Sequence, residues 1–328
     1  MEIHGFGKDA SDNYVDGSLD RLEAMLTYTE KLGYDLAEVS VPGLLAVANG
    51  KLLPQRVRRI KEVLSRYSLR YSVHAPGRSN LAYGYDHVLE KSVIRASIEF
   101  CYAIGAHRLV VHSGLQALDA ARTGMVKLPD DAELARGVDR EILALQELGP
   151  IAADAGVVIG LENGDPHLWE CVALQQNTKP PQDLPKYHAR LRMEPMIRQL
   201  ESLNHPNIGM TLDLGHLHIA AHVLGDNYLE AVEQAAPWVR HLHISDNFGK
   251  LDVSVDREAD RLPYGEADLH MPPGWGAIPF AEAFQKLSGY QGDVILEIKD
   301  LYWDHFGDAL NNLREIVAAL PGTSKTNP

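Results

Sequence analysis

Residues 208–216, IGMTLDLGH, read as a short apolar strand that ends on two metal-ligand side chains, Asp213 and His216. A carboxylate and an imidazole have no place at the end of a buried run unless something polar waits there. The same pattern recurs along the chain: LRYSVHAP (69–76) ends on His74, HRLVVHSG (107–114) on His112 and GVVIGLEN (156–163) on Glu162. VRHLHISDN (239–247) ends on His243 and GDVILEIKD (292–300) on Glu297. Side chains alternate between the faces of a strand, so one ligand at the carboxyl end of each parallel strand can converge on a shared centre. The off-strand pair Asp268 and His270, in ADLHMPPGWG, joins the set, because an i, i+2 spacing puts both on one side of an extended loop.

Working outward, the weak strand MEIHGFG and the run LAEVSVP supply strands one and two, and helical patterns separate all eight strands. Ser18 caps a periodic run through Leu22, Met25 and Leu26, and Pro54 opens a helix to about Tyr67. A helix from about Asp86 to Ile104 stops at Gly105, and PDDAE opens another to about Ala155, stopped by Gly156. Helices are expected through Met196 to Leu203, from Asn227 to Ala236, from Pro279 to Leu287 and at the C-terminus. Regular β–α alternation predicts an α/β fold, a single (β/α)8 TIM barrel over residues 1–320, with 321–328 a disordered tail. A length of 328 residues would suggest two domains, but a closed barrel is the usual exception. Two connections are long for a barrel: the Pro-rich 164–190 after strand five, read as an active-site lid or an oligomer arm, and 247–277 after strand seven.

The net charge of −14, from 45 acidic against 31 basic residues, argues against a protein that holds a nucleic-acid duplex by its phosphates. Cys101 and Cys171 are too few for a disulfide framework and read as reduced thiols. No basic-then-apolar leader and no 18-residue apolar span is found, so a soluble, cytoplasmic protein without membrane contact is expected, with a homo-oligomer left open.

Glu162, Asp213, His243 and Glu297, from strands five to eight, suit a divalent ion such as Mn or Zn, with Mg or Co also compatible. Clustered carboxylates in an apolar barrel would repel each other, and a cation removes that cost. His74, His112, His216, Asp268 and His270 extend the candidate ligands beyond what one ion can use, so two or three ions are favoured within a range of one to three. His74 and His112 can equally orient substrate. His241, two residues before His243 on the same face, reads as a support for ligands, and the remaining histidines, His167 and His188 among them, as ordinary.

The motifs VHAP, VVHSG, LENG, LDLGH, HLHISDN, HMPPGWGAI and LEIKD resemble the sugar phosphate isomerase/epimerase branch of the xylose-isomerase-like TIM barrels, over nearly the whole barrel. The resemblance implies that Glu162, Asp213, His243 and Glu297 hold one divalent ion. It also implies that Glu162 and Glu297 flank the reacting carbon of a carbohydrate, one removing and the other returning a proton, and that His216 contacts substrate. Trp169 and Trp275 are candidates to stack on a sugar face, and Asp246 is a further substrate-binding candidate. Ketose 3-epimerases of the branch carry a Glu where this chain has Leu168, and an Arg where it has Asn247 and Phe248, so substrate recognition is expected to differ. The chain is also similar to the apurinic endonuclease family, in which all nine candidate ligands correspond and three zinc ions are held. A multinuclear zinc phosphodiesterase is therefore the alternative activity. A metal-stabilised carbohydrate-binding protein is the non-enzyme alternative.

Overall fold

The structure is a computed structural model describing residues 1–10, 12–118, 127–253 and 258–320; the tail read as disordered lies outside them. Eight parallel strands close into a barrel: β1 Glu2–Ala10, β2 Leu36–Ser40, β3 Arg70–His74, β4 Arg108–His112, β5 Val158–Glu162, β6 Ile208–Asp213, β7 Val239–Ile244 and β8 Gln291–Leu296. Every residue of β6 is buried, as a strand covered by side chains inside and helices outside must be. The register places ligands side by side: His112 pairs with Glu162, and Asp213 with His243.

The outer helices follow their sequence signals. Leu19–Lys31 buries Leu22, Met25 and Leu26, and Ser18 Oγ accepts the Arg21 N–H at its start. His87–Ile104 is capped by Asp86 and ends at Gly105, whose φ of 76° suits glycine. The helix opened by Pro54 stops at Leu64, short of Tyr67. A small antiparallel hairpin, Val47–Ala48 with Lys51–Leu52, has no counterpart in the sequence reading.

Two departures matter for the site. After β6 the chain turns at once into a helix, Leu214–Leu224, before the expected one at Tyr228–Ala235. Asp213 is both the last strand residue and the N-cap, its Oδ1 accepting the His216 N–H at 2.6 Å. Segment 164–190 is folded, with a helix at Leu168–Gln176 and short helical turns at Pro181–Asp183 and Leu184–Tyr187. Its Leu174, Leu184 and Tyr187 join Leu118, Leu191 and Ala220 in a second small core. The segment is thereby docked on the barrel. Among the described residues no helix is long and apolar enough to cross a membrane.

Candidate functional site

Strand ends, the helix start after β6 and the loop after β7 together bring all nine candidate ligands to the carboxyl-terminal mouth of the barrel, in three groups. His74 and His112 face Glu162; Glu162, Asp213, His243 and Glu297 form the centre; His216, Asp268 and His270 lie on the far side. Glu162 Oε2 lies 3.4 Å from His74 Nε2 and 3.2 Å from His112 Nε2. Its other oxygen, Oε1, is 3.0 Å from His243 Nδ1, which is 3.1 Å from Glu297 Oε2. His216 Nε2 is 3.4 Å from Asp268 Oδ2, and His270 Nε2 contacts the same oxygen.

Backbone carbonyls fix how several of these rings face. The Nδ1 atoms of His74, His216 and His270 sit 2.7, 3.2 and 2.8 Å from the carbonyl oxygens of Ala75, Asn163 and Glu297, so each Nδ1–H is donated there. Nε2 of each ring is left to face the carboxylates. Either a proton or a metal cation can bridge such a pair, and a bound ion would take the proton's place. Consistently, Glu162 Oε2, Asp213 Oδ2, Asp268 Oδ1 and Glu297 Oε2 are buried with no hydrogen-bond partner among the described residues. Donor atoms around a tetrahedral ion with bonds of about 2.1 Å stand about 3.4 Å apart, close to the separations here. The donor set therefore fits divalent ions, with Glu162 shared between two groups.

The electrostatics describe the same imbalance. Burial and the neighbouring carboxylates Glu297, Glu162 and Asp268 push Asp213 up to about 7, although His216 opposes the rise. Burial would also raise Glu297, but His243 outweighs it and holds the carboxyl at about 2. Burial lowers His112 to about 4, whereas for His74 the attraction of Glu162 overcomes burial and lifts the ring to about 9. The candidate ligand cluster thus mixes acids pushed above and below their ordinary range with rings shifted in both directions. Bound cations would replace protons in such a cluster.

Sequence reading passed over Glu38. It lies inside β2, buried, with Oε2 accepting from His241 Nε2 at 3.0 Å and from Ser72 Oγ at 2.8 Å. Its Oε1 is 3.0 Å from His243 Nε2, on the edge of the ring opposite the centre. Glu38 and His241 therefore orient His243. A lone carboxylate in the apolar run LAEVSVP was the available signal. Asn163 ties β5 to β6, exchanging hydrogen bonds with the Asp213 backbone at 2.8 and 3.0 Å.

A cavity of about 260 Å³ opens on this centre, with Asp9, Glu38, His74, His112, His270, Glu297 and Lys299 in its wall. Of the sequence-derived substrate candidates, Trp275 is 40% exposed and packs edge-on against His305 and Tyr302. Trp169 stacks with His167 beside the second core. Asp246 is buried, and its two oxygens accept four backbone N–H groups, from Asn247, Gly274, Gly276 and Ile278. It holds the 247–277 loop, and so Asp268 and His270, in place. A Cβ at Gly276 would lie 2.4 Å from Asp246 Oδ1, so this turn requires glycine.

Comparison with known proteins agrees with the architecture. The family model described as xylose isomerase-like TIM barrel matches residues 26–320. No curated protein matches the sequence. Among solved structures, a D-tagatose 3-epimerase-like protein superposes with a TM-score of 0.65 at 21% identity, covering 96% of this chain and 97% of its own. D-psicose 3-epimerase from Clostridium cellulolyticum, solved with D-tagatose, gives 0.64 at 16% identity over 95% of this chain and 99% of its own. The IOLI protein with a binding zinc atom gives 0.60 at 18% identity, covering 96% of each chain. At such identities the likeness is one of fold, and with the family match over most of its length the chain belongs to the xylose isomerase-like TIM barrel family.

Proposed function

We propose that the chain is a divalent-metal-dependent isomerase or epimerase that moves a proton beside the carbonyl of a sugar, sugar phosphate or related polyol. The observation that carries this reading is the pair Glu162 and Glu297, both within about 3 Å of His243 Nδ1, with Glu297 on the wall of the cavity. One carboxylate takes the proton from the carbon beside the carbonyl and the other returns it. A divalent ion held by Glu162, Asp213, His243 and Glu297 supplies positive charge where negative charge develops. His216, pinned through Nδ1, presents Nε2 towards the mouth as a substrate contact or a ligand. The narrow cavity suits a small carbohydrate, and two similar folds belong to proteins named as ketose 3-epimerases or their like.

The imidazole-rich donor set favours Zn or Mn over Mg. Three ligand groups, two of them sharing Glu162, also favour a second reading, a multinuclear zinc hydrolase acting on a phosphodiester. One experiment separates them. Metal-loaded protein is incubated in D₂O with a panel of ketoses, aldoses and their phosphates, and separately with an abasic oligonucleotide. Proton transfer predicts deuterium at the carbon beside the carbonyl; cleavage of the oligonucleotide without exchange on any sugar gives the hydrolase reading its place.

A further inference from the structure

The segment at the end of 164–190 is sewn into the barrel mouth. Ala189 N–H donates to Leu115 O at 2.7 Å, and Gly164 N–H to Arg190 O at 3.2 Å, so Arg190 sits between the chain leaving β4 and the chain leaving β5. Gly164 is only two residues past Glu162. The Arg190 side chain crosses it so closely that a Cβ there would lie 2.7 Å from Arg190 Nε. Arg190 Nε–H donates to His188 Nε2 at 3.0 Å. The His188 ring, fully buried, must therefore carry its hydrogen on Nδ1, which lies 2.8 Å from Glu170 Oε1. Glu170, buried too, takes Gln116 Nε2–H on Oε1 and the His167 backbone N–H on Oε2, both at 2.9 Å.

Three buried side chains thus fix one nitrogen of a guanidinium. Its two Nη groups hydrogen-bond to no described residue, although the side chain is only partly exposed. Its place against Gly164, two residues beyond Glu162, sets it at the edge of the centre. Elsewhere the mouth is rich in acid: Asp9 and Glu297 line the cavity, and Asp165 and Asp268 act on His216. Lys299, a cation in the cavity wall, donates to the Asp268 carbonyl at 3.2 Å, so Arg190 adds a second cation whose Nη donors are unmatched among the described residues. A guanidinium whose direction is set from behind, with its outer edge unmatched, is the fork that carboxylates and phosphates fit.

We propose that Arg190 is the anion-recognition residue of the candidate site, and that the substrate carries a carboxylate or phosphate group away from its reacting carbon. This rests on reading the mouth as an enzyme centre, and it narrows the substrate class.

The test compares wild type with Arg190→Ala and Arg190→Lys, each loaded with zinc and checked for metal content and melting temperature. Calorimetric titration uses fructose as the neutral probe, fructose 6-phosphate as the phosphate probe and gluconate as the carboxylate probe. Wild type should bind one anionic probe at least about tenfold more tightly than fructose, and which one identifies the group. Arg190→Ala should erase that margin while leaving fructose binding, metal content and melting temperature unchanged, and Arg190→Lys should keep part of it. His188→Ala, which frees the side chain without removing its charge, should fall between. Equal binding of all three probes by wild type overturns the proposal, as does an Arg190→Ala protein that retains the anionic margin or loses fructose and anion alike. Deuterium exchange with the anionic preference missing would sink this inference alone; the preference without exchange would sink the proton-transfer reading alone.

Discussion

Two buried acid–histidine networks lie side by side in this molecule, and they are built to opposite rules. In the docked segment, Glu170 accepts on one oxygen from Gln116 and on the other from a backbone N–H, while His188 accepts from Arg190 on Nε2 and sets Nδ1 2.8 Å from Glu170 in an ion-pair contact. At the barrel mouth, four carboxylates each leave a buried oxygen without a hydrogen-bond partner among the described residues, and several rings, held through Nδ1, turn Nε2 towards them. In the first network both carboxylate oxygens accept hydrogen bonds and chain segments are held together, with Gln116 Oε1 the side-chain oxygen left over. The second leaves a donor set that bound cations would complete, and buried polar atoms left in that state signal function rather than stability.

Removing the cations should therefore separate the two networks most sharply. Exhaustive chelation is expected to abolish activity and lower the melting temperature by several degrees, with both restored by zinc or manganese. Elemental analysis should return two or three ions per chain. Unchanged activity and melting in metal-free protein would break the contrast. A smaller effect is expected from Glu297→Gln, which keeps shape and removes one charge: activity should drop about 10²-fold or more, with the fold intact by circular dichroism. The matching change in the first network, Glu170→Gln, should leave turnover within a few-fold.

Glu38→Gln sharpens the comparison from behind the ligands. It weakens the orientation of His243 without touching the centre, so zinc affinity should fall about 10- to 100-fold by competition with a chelator dye. The d–d spectrum of the cobalt-substituted protein should shift as well. Only one of His241 and His243 keeps the amide oxygen as acceptor while the other meets its NH₂ group, so melting of the apo-protein should fall modestly, less than zinc affinity does. Equal zinc affinity in wild type and variant would reduce Glu38 to a packing residue.

What the sequence disclosed follows from where periodicity exists. Strand-end ligands repeat once per βα unit, so Glu162, Asp213, His243 and Glu297 were legible together with the barrel. Glu38 was not, because it lies inside β2 rather than at its end and meets His241 and His243 only through barrel closure. The helix Leu214–Leu224 shows no apolar stripe, since Leu214, Leu217, His218, Ile219, Ala220 and Ala221 are all buried, so amphipathic periodicity could not reveal it. The Glu170–His188–Gln116 network joins two ends of the 164–190 segment with the chain leaving β4, and no local pattern links those positions. Asp246 was legible as a polar residue past β7, but its role as an acceptor for backbone N–H groups required the loop's own path.

The smallest predicted effect tests whether the first network is what docks the 164–190 segment. Burial would raise Glu170, but His188 and its hydrogen bonds outweigh burial and hold the carboxyl at about 2, against an ordinary 4.5. A carboxyl depressed by folding stabilises the fold above its unfolded value, and that contribution drains away as pH falls from 4.5 towards 2. Burial also lowers His188 below its ordinary 6.5, despite Glu170, so charging that ring opposes the docked state as pH falls below 6.5. Both signs agree: acid should loosen the segment, first through His188 and then through Glu170. Hydrogen exchange, corrected for its intrinsic pH dependence, should show Leu168–Gln176 losing protection at a higher pH than β6. Glu170→Gln should weaken the segment by about 1–3 kcal/mol at neutral pH, since a buried charge-assisted contact is lost while the neighbouring donors remain, and should blunt the lower part of the acid response. Segment and β6 losing protection together in the wild type would show that the second small core, rather than the acid–histidine network, holds the segment to the barrel.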